Sequence, residues 1–263
     1  MQKVLNKPLT NTFGWLHMNG TSLEIPEETE EKAIVLSPSE EKQLILDDAC
    51  PNRALHIEVQ EGAVLKLIQI SRSDERGIHH IEVQLQKNGR FEWYRLILGS
   101  AAVYDDCKVT LIGDDSSFTA RIGYDLKAEN RMDMNCEAVH LGKRTTSNIK
   151  ALGVLDGQAF KLLRGTIDLR TGCKGAKGDE YEDVLLLSDD VHNQSIPMIL
   201  CSEEDVEGNH GATIGQLPEE LIYYMTSRGI EKDDLYTLMA RSRLDSIIQT
   251  LPDEALREAL LSR

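Results

Sequence analysis

Apolar and polar residues alternate with a period of two along most of this chain. In residues 55–60, Leu55, Ile57 and Val59 share one side, and polar side chains occupy the other. Successive side chains of a β-strand point to opposite faces, so the alternation predicts strands with one buried face. The pattern returns in residues 81–85, 91–93, 107–111, 118–124, 132–138, 160–162, 184–187 and 196–200.

The spacing of these segments indicates a mainly β protein. A new strand begins roughly every 10–15 residues, which is typical of a sandwich, a barrel or a stacked β architecture. No stretch with a helical period that is long enough for a βαβ crossover separates the strands. The pattern leaves these three architectures open, although the Asn88-Gly89 pair favours a hairpin.

The period changes to a helical one near residue 216. Pro218 suits the first turn of a helix, and Gly229 suits the position just after its end. A second helix is predicted from about Lys232, because apolar residues keep helical spacing as far as Leu251. Pro252 is predicted to begin a third helix.

The charge of the chain excludes several classes of partner. It has 29 basic and 44 acidic residues, a net charge of −15, which disfavours non-specific nucleic-acid binding and docking on an anionic membrane. No apolar run approaches the ~20 residues of a spanning helix. The first eight residues lack the apolar region of a signal peptide. We therefore expect a cytoplasmic protein with no nucleic-acid or membrane partner.

Five cysteines are present, and they are widely spaced without a Cys-x-x-Cys pair: Cys50, Cys107, Cys136, Cys173 and Cys201. This spacing excludes an ordinary zinc knuckle or a ferredoxin-type cluster motif. In the cytosol they are expected to be thiols. Cys107 and Cys136 lie in apolar alternations and are predicted to be buried in the core.

Several polar motifs are predicted to have no binding role. His79 and His80 should point to opposite faces of a strand, so they cannot chelate one ion together. Residues 172–178 are rich in glycine and lysine but lack the order of a phosphate-binding loop. We interpret them as a mobile turn beside the acidic segment 179–183. The acidic pair at 105–106 is predicted to lie in a solvated turn.

One histidine occupies the predicted changeover from strands to helices. His210 is preceded by Gly208 at two residues and followed by Gly211, so its side chain is expected over open backbone in an exposed turn. A histidine in such a turn is more often an ordinary surface or capping residue than a ligand. Nearby groups that could complete a metal site are Cys201, Glu203, Glu204, Asp205, Glu207 and His192.

The stretch around His210 resembles the SufB/SufD family, the scaffold proteins of the Suf iron–sulfur cluster assembly system. The matching residues are Pro197, Asp205-Val206, His210-Gly211-Ala212-Thr213, Gly215-Gln216-Leu217 and the run from Tyr223 to Ile230. Weaker matches are residues 12–19, with Trp15 and Leu16, then Arg164-Gly165 and residues 185–188. The resemblance covers most of the chain, but only the last third is specific.

This resemblance implies a right-handed parallel β-helix, in which each coil stacks on the next. It divides the chain into an N-terminal cap segment (1–50), a β-helix core (51–215) and a C-terminal helical subdomain (216–263). The two terminal parts are expected to cover the open ends of the core. In the family, the C-terminal helices dock on the SufC ATPase.

The implied function is that of a non-enzymatic scaffold or partner subunit that acts with a SufC-type ATPase. The second partner would be a SufB-like chain or another copy of this one, and an iron–sulfur cluster would be held transiently between the chains. Two other classes remain open: a β-helix polysaccharide lyase or hydrolase, and a structural interaction protein that has lost the cluster site. Aromatic residues make up only 5% of the chain, which disfavours a carbohydrate groove.

The resemblance also implies a role for individual residues. His210 matches the histidine of the SufD pattern Cys-Ser-His-Gly-Ala-Thr and is predicted to be a metal ligand. Cys201 and Glu207 are further candidates for cluster binding, since iron binds thiolate, imidazole and carboxylate.

Two cysteines and one glutamate that are usual in the family are missing at the matching positions. Gly208 stands where SufD-type chains carry cysteine, and Gly211 stands where SufB-type chains carry glutamate. Val191 falls at the position of a SufB cysteine. The chain therefore resembles a SufD-like or minimal SufB/D-type subunit.

Overall fold

The computed structural model describes residues 2–11, 18–24, 29–46, 52–99 and 101–262. Strands β1 (Gln2–Leu5) and β2 (Thr21–Glu24) form an antiparallel pair. The next fourteen strands are β3 (Glu30–Leu36), β4 (Glu41–Leu46), β5 (Asn52–Val59), β6 (Val64–Ser71), β7 (Gly77–Leu85), β8 (Arg90–Leu98), β9 (Ala102–Leu111), β10 (Ser117–Leu126), β11 (Arg131–His140), β12 (Thr146–Leu155), β13 (Phe160–Leu169), β14 (Lys177–Leu186), β15 (His192–Cys201) and β16 (Glu207–Gly215). Helices α1 (Glu219–Ser227), α2 (Lys232–Ile248) and α3 (Glu254–Leu261) follow.

The fourteen strands form two parallel seven-stranded sheets, one of odd-numbered and one of even-numbered strands from β3 to β16. The chain crosses from one sheet to the other after every strand, and each strand pairs with the strand two places on. This stacking of coils confirms the predicted parallel β-helix and mainly β fold class. The predicted hairpin at Asn88-Gly89 is wrong, because β7 and β8 belong to different sheets.

The core lies between the two sheets and is built from ladders of registered residues. Equivalent residues in neighbouring parallel strands face the same way, so each inward position repeats from coil to coil. Phe91 and Phe118 stack with their ring centroids 5.6 Å apart. Cys107 and Cys136 are registered partners and are fully buried, as their apolar alternation predicts.

The C-terminal helices pack on the outer face of the even sheet. Leu244, Ile247 and Ile248 are buried against outward-facing residues of that sheet, including Ile68 and Leu96. The prediction that these helices cover an open end is therefore wrong. Their apolar faces are buried against the apolar outer face of the even sheet. No helix in the described residues is long and apolar enough to cross a membrane.

Helix limits follow the predicted signals closely. Arg228 and Gly229 end α1, and Gly229 adopts a positive φ of 87° that suits glycine. The third helix begins two residues later than predicted, because Asp253, not Pro252, is its N-cap and accepts a hydrogen bond from the Leu256 N–H.

The amino-terminal segment differs from the predicted cap. Its β1–β2 pair lies on the outer face of the odd sheet, where Asn6 Nδ2 donates to Asp133 Oδ1 at 2.8 Å and Arg164 Nε donates to the Met18 carbonyl at 2.6 Å. Parallel pairing begins at β3, so residues 30–46 build the first coil of the core and do not belong to a cover. Trp15 and Leu16 lie outside the described residues.

Candidate functional site

The last coil of the β-helix consists of β15 and β16, each at the end of its sheet. Every β-helix strand between β5 and β14 is paired on both sides, whereas β15 and β16 have a partner on one side only within the described residues. Most of their residues are exposed or half-buried. This coil presents unpaired backbone groups and an uncovered inner face at the carboxyl end.

His210 lies within β16 and not in a turn. The strand continues to Gly215, and the changeover to helix falls on residues 216–218. The predicted turn is wrong because β16 pairs in register with β14 across this whole stretch, with His210 opposite Glu180. His210 is exposed, because no further coil covers that face.

The other two predicted ligands also lie on the last coil, but at separate points. Cys201 ends β15, is exposed, and its thiol donates to the Glu203 carbonyl at 3.1 Å. Glu207 begins β16 and forms an ion pair with Lys177 Nζ at 2.8 Å. Glu207 and His210 are three residues apart on one strand, so they face opposite sides.

These predicted residues do not form a ready metal centre. Across the described ranges, no group of three or more histidine, cysteine, aspartate or glutamate side chains is arranged to hold a metal ion. The roles of His210, Cys201 and Glu207 therefore stay predictions.

A polar cluster lies inside the β-helix directly below the last coil. Glu182 pairs with Lys161 Nζ and accepts a hydrogen bond from the Tyr124 hydroxyl at 3.1 Å. Lys161 Nζ also donates to Ser195 Oγ at 2.7 Å. Lys161 and Tyr124 are fully buried, and Glu182 is nearly so. The interior is thus polar at its carboxyl end.

Glu180 is the member of this cluster without a hydrogen-bonding partner for one oxygen. It is 8% exposed, and its Oε2 atom accepts no hydrogen bond from any described residue. Its carboxylate lies over Gly165, at a place that any side chain at residue 165 would occupy. Burial, reinforced by the charge of Glu182, raises the pKa of Glu180 to about 7, against the opposing effect of Lys161.

This cluster was not predicted from the sequence. The acidic segment 179–183 was expected beside a mobile turn, but it lies in β14. Glu180 and Glu182 fall on the same side of the strand as Val184, which belongs to the core. Their position on the same side as Val184 was the available signal in the sequence. Acidic residues in a strand are, however, usually expected to face water.

A second buried ionic group occupies the middle of the interior. Arg95 Nε donates to Asp105 Oδ2 at 2.6 Å, and His79 Nδ1 lies 2.7 Å from Asp105 Oδ1. Although burial alone would raise the pKa of Asp105, Arg95 and His79 together lower it to about 2. The predicted solvated turn at 105–106 is wrong, because both residues lie in β9.

His79 and His80 face opposite sides of β7, as predicted. His79 contacts Asp105 inside the β-helix, whereas His80 Nδ1 lies 3.2 Å from Asp106 Oδ2 on the outer face.

Comparison with known proteins assigns the family. A sequence model described as "SUF system FeS cluster assembly, SufBD core domain" matches residues 24–242. The chain belongs to the SufBD core family. The match covers the whole β-helix together with α1 and most of α2.

Curated relatives carry names from the same system. The chain is 24% identical over 176 residues to the iron–sulfur cluster assembly protein SufD of Bacillus subtilis, covering 67% of this chain and 40% of that protein. It is 24% identical over 177 residues to a SufBD family protein of Synechocystis, covering 65% and 36%. It is 26% identical over 209 residues to a chloroplastic SufBD family protein of Arabidopsis thaliana, covering 74% and 37%. The aligned part thus spans less than half the length of these relatives.

Proposed function

We propose that this protein is a scaffold or partner subunit in iron–sulfur cluster assembly, working with a SufC-type ATPase and performing no turnover of its own. The observation that carries the proposal is the last coil of a SufBD-type β-helix, which leaves His210 exposed on an uncovered inner face. A cluster built there would be cargo, held transiently and shared with a partner chain. We place this activity in the cytoplasm.

Replacing His210 with alanine tests this function. In a complex reconstituted without oxygen with the ATPase and a SufB-like chain, we expect lower iron and sulfide content, because an imidazole ligand is lost. The melting temperature should be nearly unchanged, since His210 is exposed and has little packing to lose. Asn209→Ala is the matched control, because Asn209 is an exposed neighbour on the opposite face of β16. Undiminished iron and sulfide in the His210 variant would leave a purely structural subunit as the better explanation.

The C-terminal helices supply a surface for the ATPase. Tyr223 and Tyr224 on α1 are 77% and 52% exposed, and Leu238 on α2 is 54% exposed. Leu235 of α2 is buried against Val154 and Leu185 of the even sheet, and the half-buried residues Leu221, Ile222 and Met225 of α1 pack against the same cluster. Large apolar groups left exposed beside an anchored face are typical of a docking site.

A double substitution, Tyr223→Ala with Leu238→Ala, is expected to weaken binding to a SufC-type ATPase at least about tenfold. Loss of one interface hot spot has an effect of this size. Isothermal titration calorimetry measures the change. Tyr181→Ala is the control, since Tyr181 is a 41% exposed aromatic residue that belongs to β14 and not to a helix. Deletion of the helices is a less clean test, because it would uncover buried residues of the even sheet. Equal affinities for the double variant and the control would remove the helices from the interface.

The unpaired edges of β15 and β16 are proposed to pair with a second β-helix, either a SufB-like chain or another copy of this chain. Unpaired strand edges readily add strands from a partner. We expect a dimer by light scattering, alone or after mixing with a SufB-like chain. A monomer under both conditions would contradict this part of the proposal.

A further inference from the structure

The polar cluster below the last coil contains one carboxylate, that of Glu180, which is not the ion-pair partner of Lys161. Lys161 is the buried cation of the cluster, and it is held by Glu182 and Ser195. Glu182 has a further hydrogen bond from Tyr124. No described residue donates a hydrogen bond to Glu180 Oε2, although Glu180 is more than nine-tenths buried. A buried carboxylate in this state favours a cationic ligand.

The register of the strands places Glu180 beside His210. The two residues are partners in the parallel pairing of β14 with β16, so both side chains face the inside of the β-helix. Neighbouring strands are only about 4.8 Å apart, a spacing across which a carboxylate and an imidazole can reach a common ion. The inward-facing neighbours of His210 on β16 are Gly208 and Ala212, both of them small residues.

We propose that Glu180 and His210 together bind one divalent transition-metal ion at the carboxyl-terminal mouth of the β-helix. Glu180 supplies a carboxylate oxygen from inside, His210 supplies an imidazole nitrogen from the exposed rim, and water completes the coordination. Oxygen and imidazole ligands suit ferrous iron. Ferrous iron is the ion expected in the cell, and this identification rests on the proposed function in cluster assembly.

Neighbouring acidic groups do not compete for this role. Glu182 is neutralised by Lys161. Glu207 faces the opposite side of β16 and is paired with Lys177. Removal of Glu180 should therefore affect metal binding selectively, which makes Glu207 a matched acidic control on the last coil.

The test is a cobalt(II) titration of the purified full-length chain without oxygen, followed by visible absorption and repeated calorimetrically with ferrous iron. We expect one ion per chain. Glu180→Gln preserves the size of the side chain and should weaken binding by about 10–100-fold or more, since loss of a residue that merely orients a ligand has an effect of that size. His210→Ala should show a similar loss, and Glu207→Gln should bind like the unmodified protein.

Three results would overturn the proposal: no ion bound by the unmodified chain, unchanged affinity in Glu180→Gln, or unchanged affinity in His210→Ala. The exposed His210 variant keeps the test valid if Glu180→Gln fails to fold. The titration uses neither the ATPase nor a partner chain, so its outcome is separate from cluster yield in the complex. If both variants lose metal binding but His210→Ala retains full cluster yield, the proposed ion site is supported and the proposed role of His210 in assembly is contradicted.

Discussion

Replacing Lys161 with methionine is expected to lower the free energy of unfolding by about 3–5 kcal/mol, the usual effect of removing one partner from a buried ion pair. Lys161 is fully buried between Glu182 and Ser195. Methionine matches the length of the aliphatic chain but carries no charge. Glu182 and Glu180 would then lie in the same part of the interior without the charge of Lys161, so each would have to be protonated or exposed to water.

The matched control is Lys177→Met on the surface of the same coil. Lys177 and Glu207 form an ion pair at 2.8 Å, but both side chains are more than half exposed. Exposed pairs contribute about 0–1 kcal/mol, because water screens them. Urea denaturation of both variants measures the difference. Similar losses in the two variants would mean that burial of the Lys161–Glu182 pair has no special effect on stability.

The strands were predictable because their signal is local. A period of two follows from strand geometry whatever the strand pairs with, so residues 55–60 and 107–111 indicated strands correctly. The signal for the architecture is not local in the same sense. Asn88-Gly89 has the composition of a hairpin turn, yet nothing in a turn specifies whether the next strand joins the same sheet or the opposite one.

The packing of the helices shows the same limit. Helical spacing gave α2 its approximate bounds, but the partner of its apolar face lies far away in sequence. The outward residues Ile68 and Leu96 carry that information, since β6 and β8 are apolar on both faces where the helices cover them. A strand that is apolar on both faces indicates a second layer, and this signal was present in the sequence.

The candidate site was predictable only in part. His210 was found through its resemblance to family residues, while its position in a strand emerged from the pairing of β14 with β16. Glu180 was missed because its environment is made by residues distant in sequence, above all Gly165 and Lys161. The sequence indicates which residues lie on the same side of a strand. Only the register between strands shows which of these residues lie next to each other inside the β-helix.

Replacing Gly153 with alanine is expected to be among the most destabilising single-methyl additions in this protein. Gly153 lies in β12 against the ring of Tyr124, and a Cβ atom there would overlap that ring. Tyr124 is fully buried, and its hydroxyl is bonded to Glu182. β12 is paired on both sides, so its backbone cannot retreat. We expect a loss at or above the upper end of the ~1–3 kcal/mol typical of overpacking.

Gly211→Ala is the control for this substitution. Gly211 lies in β16, where the nearest atom to an added Cβ, Tyr181 Cδ2, is 3.6 Å away, an ordinary contact. A glycine-to-alanine change without strain stabilises by about 0.4–1 kcal/mol through the unfolded chain. Thermal and urea unfolding should therefore shift in opposite directions for the two variants. A double-mutant cycle with Tyr124→Leu identifies the cause, because residues in contact show non-additive effects. If Gly153→Ala costs as much in the Tyr124→Leu protein as in the original, overlap with the tyrosine ring is not the source of the loss.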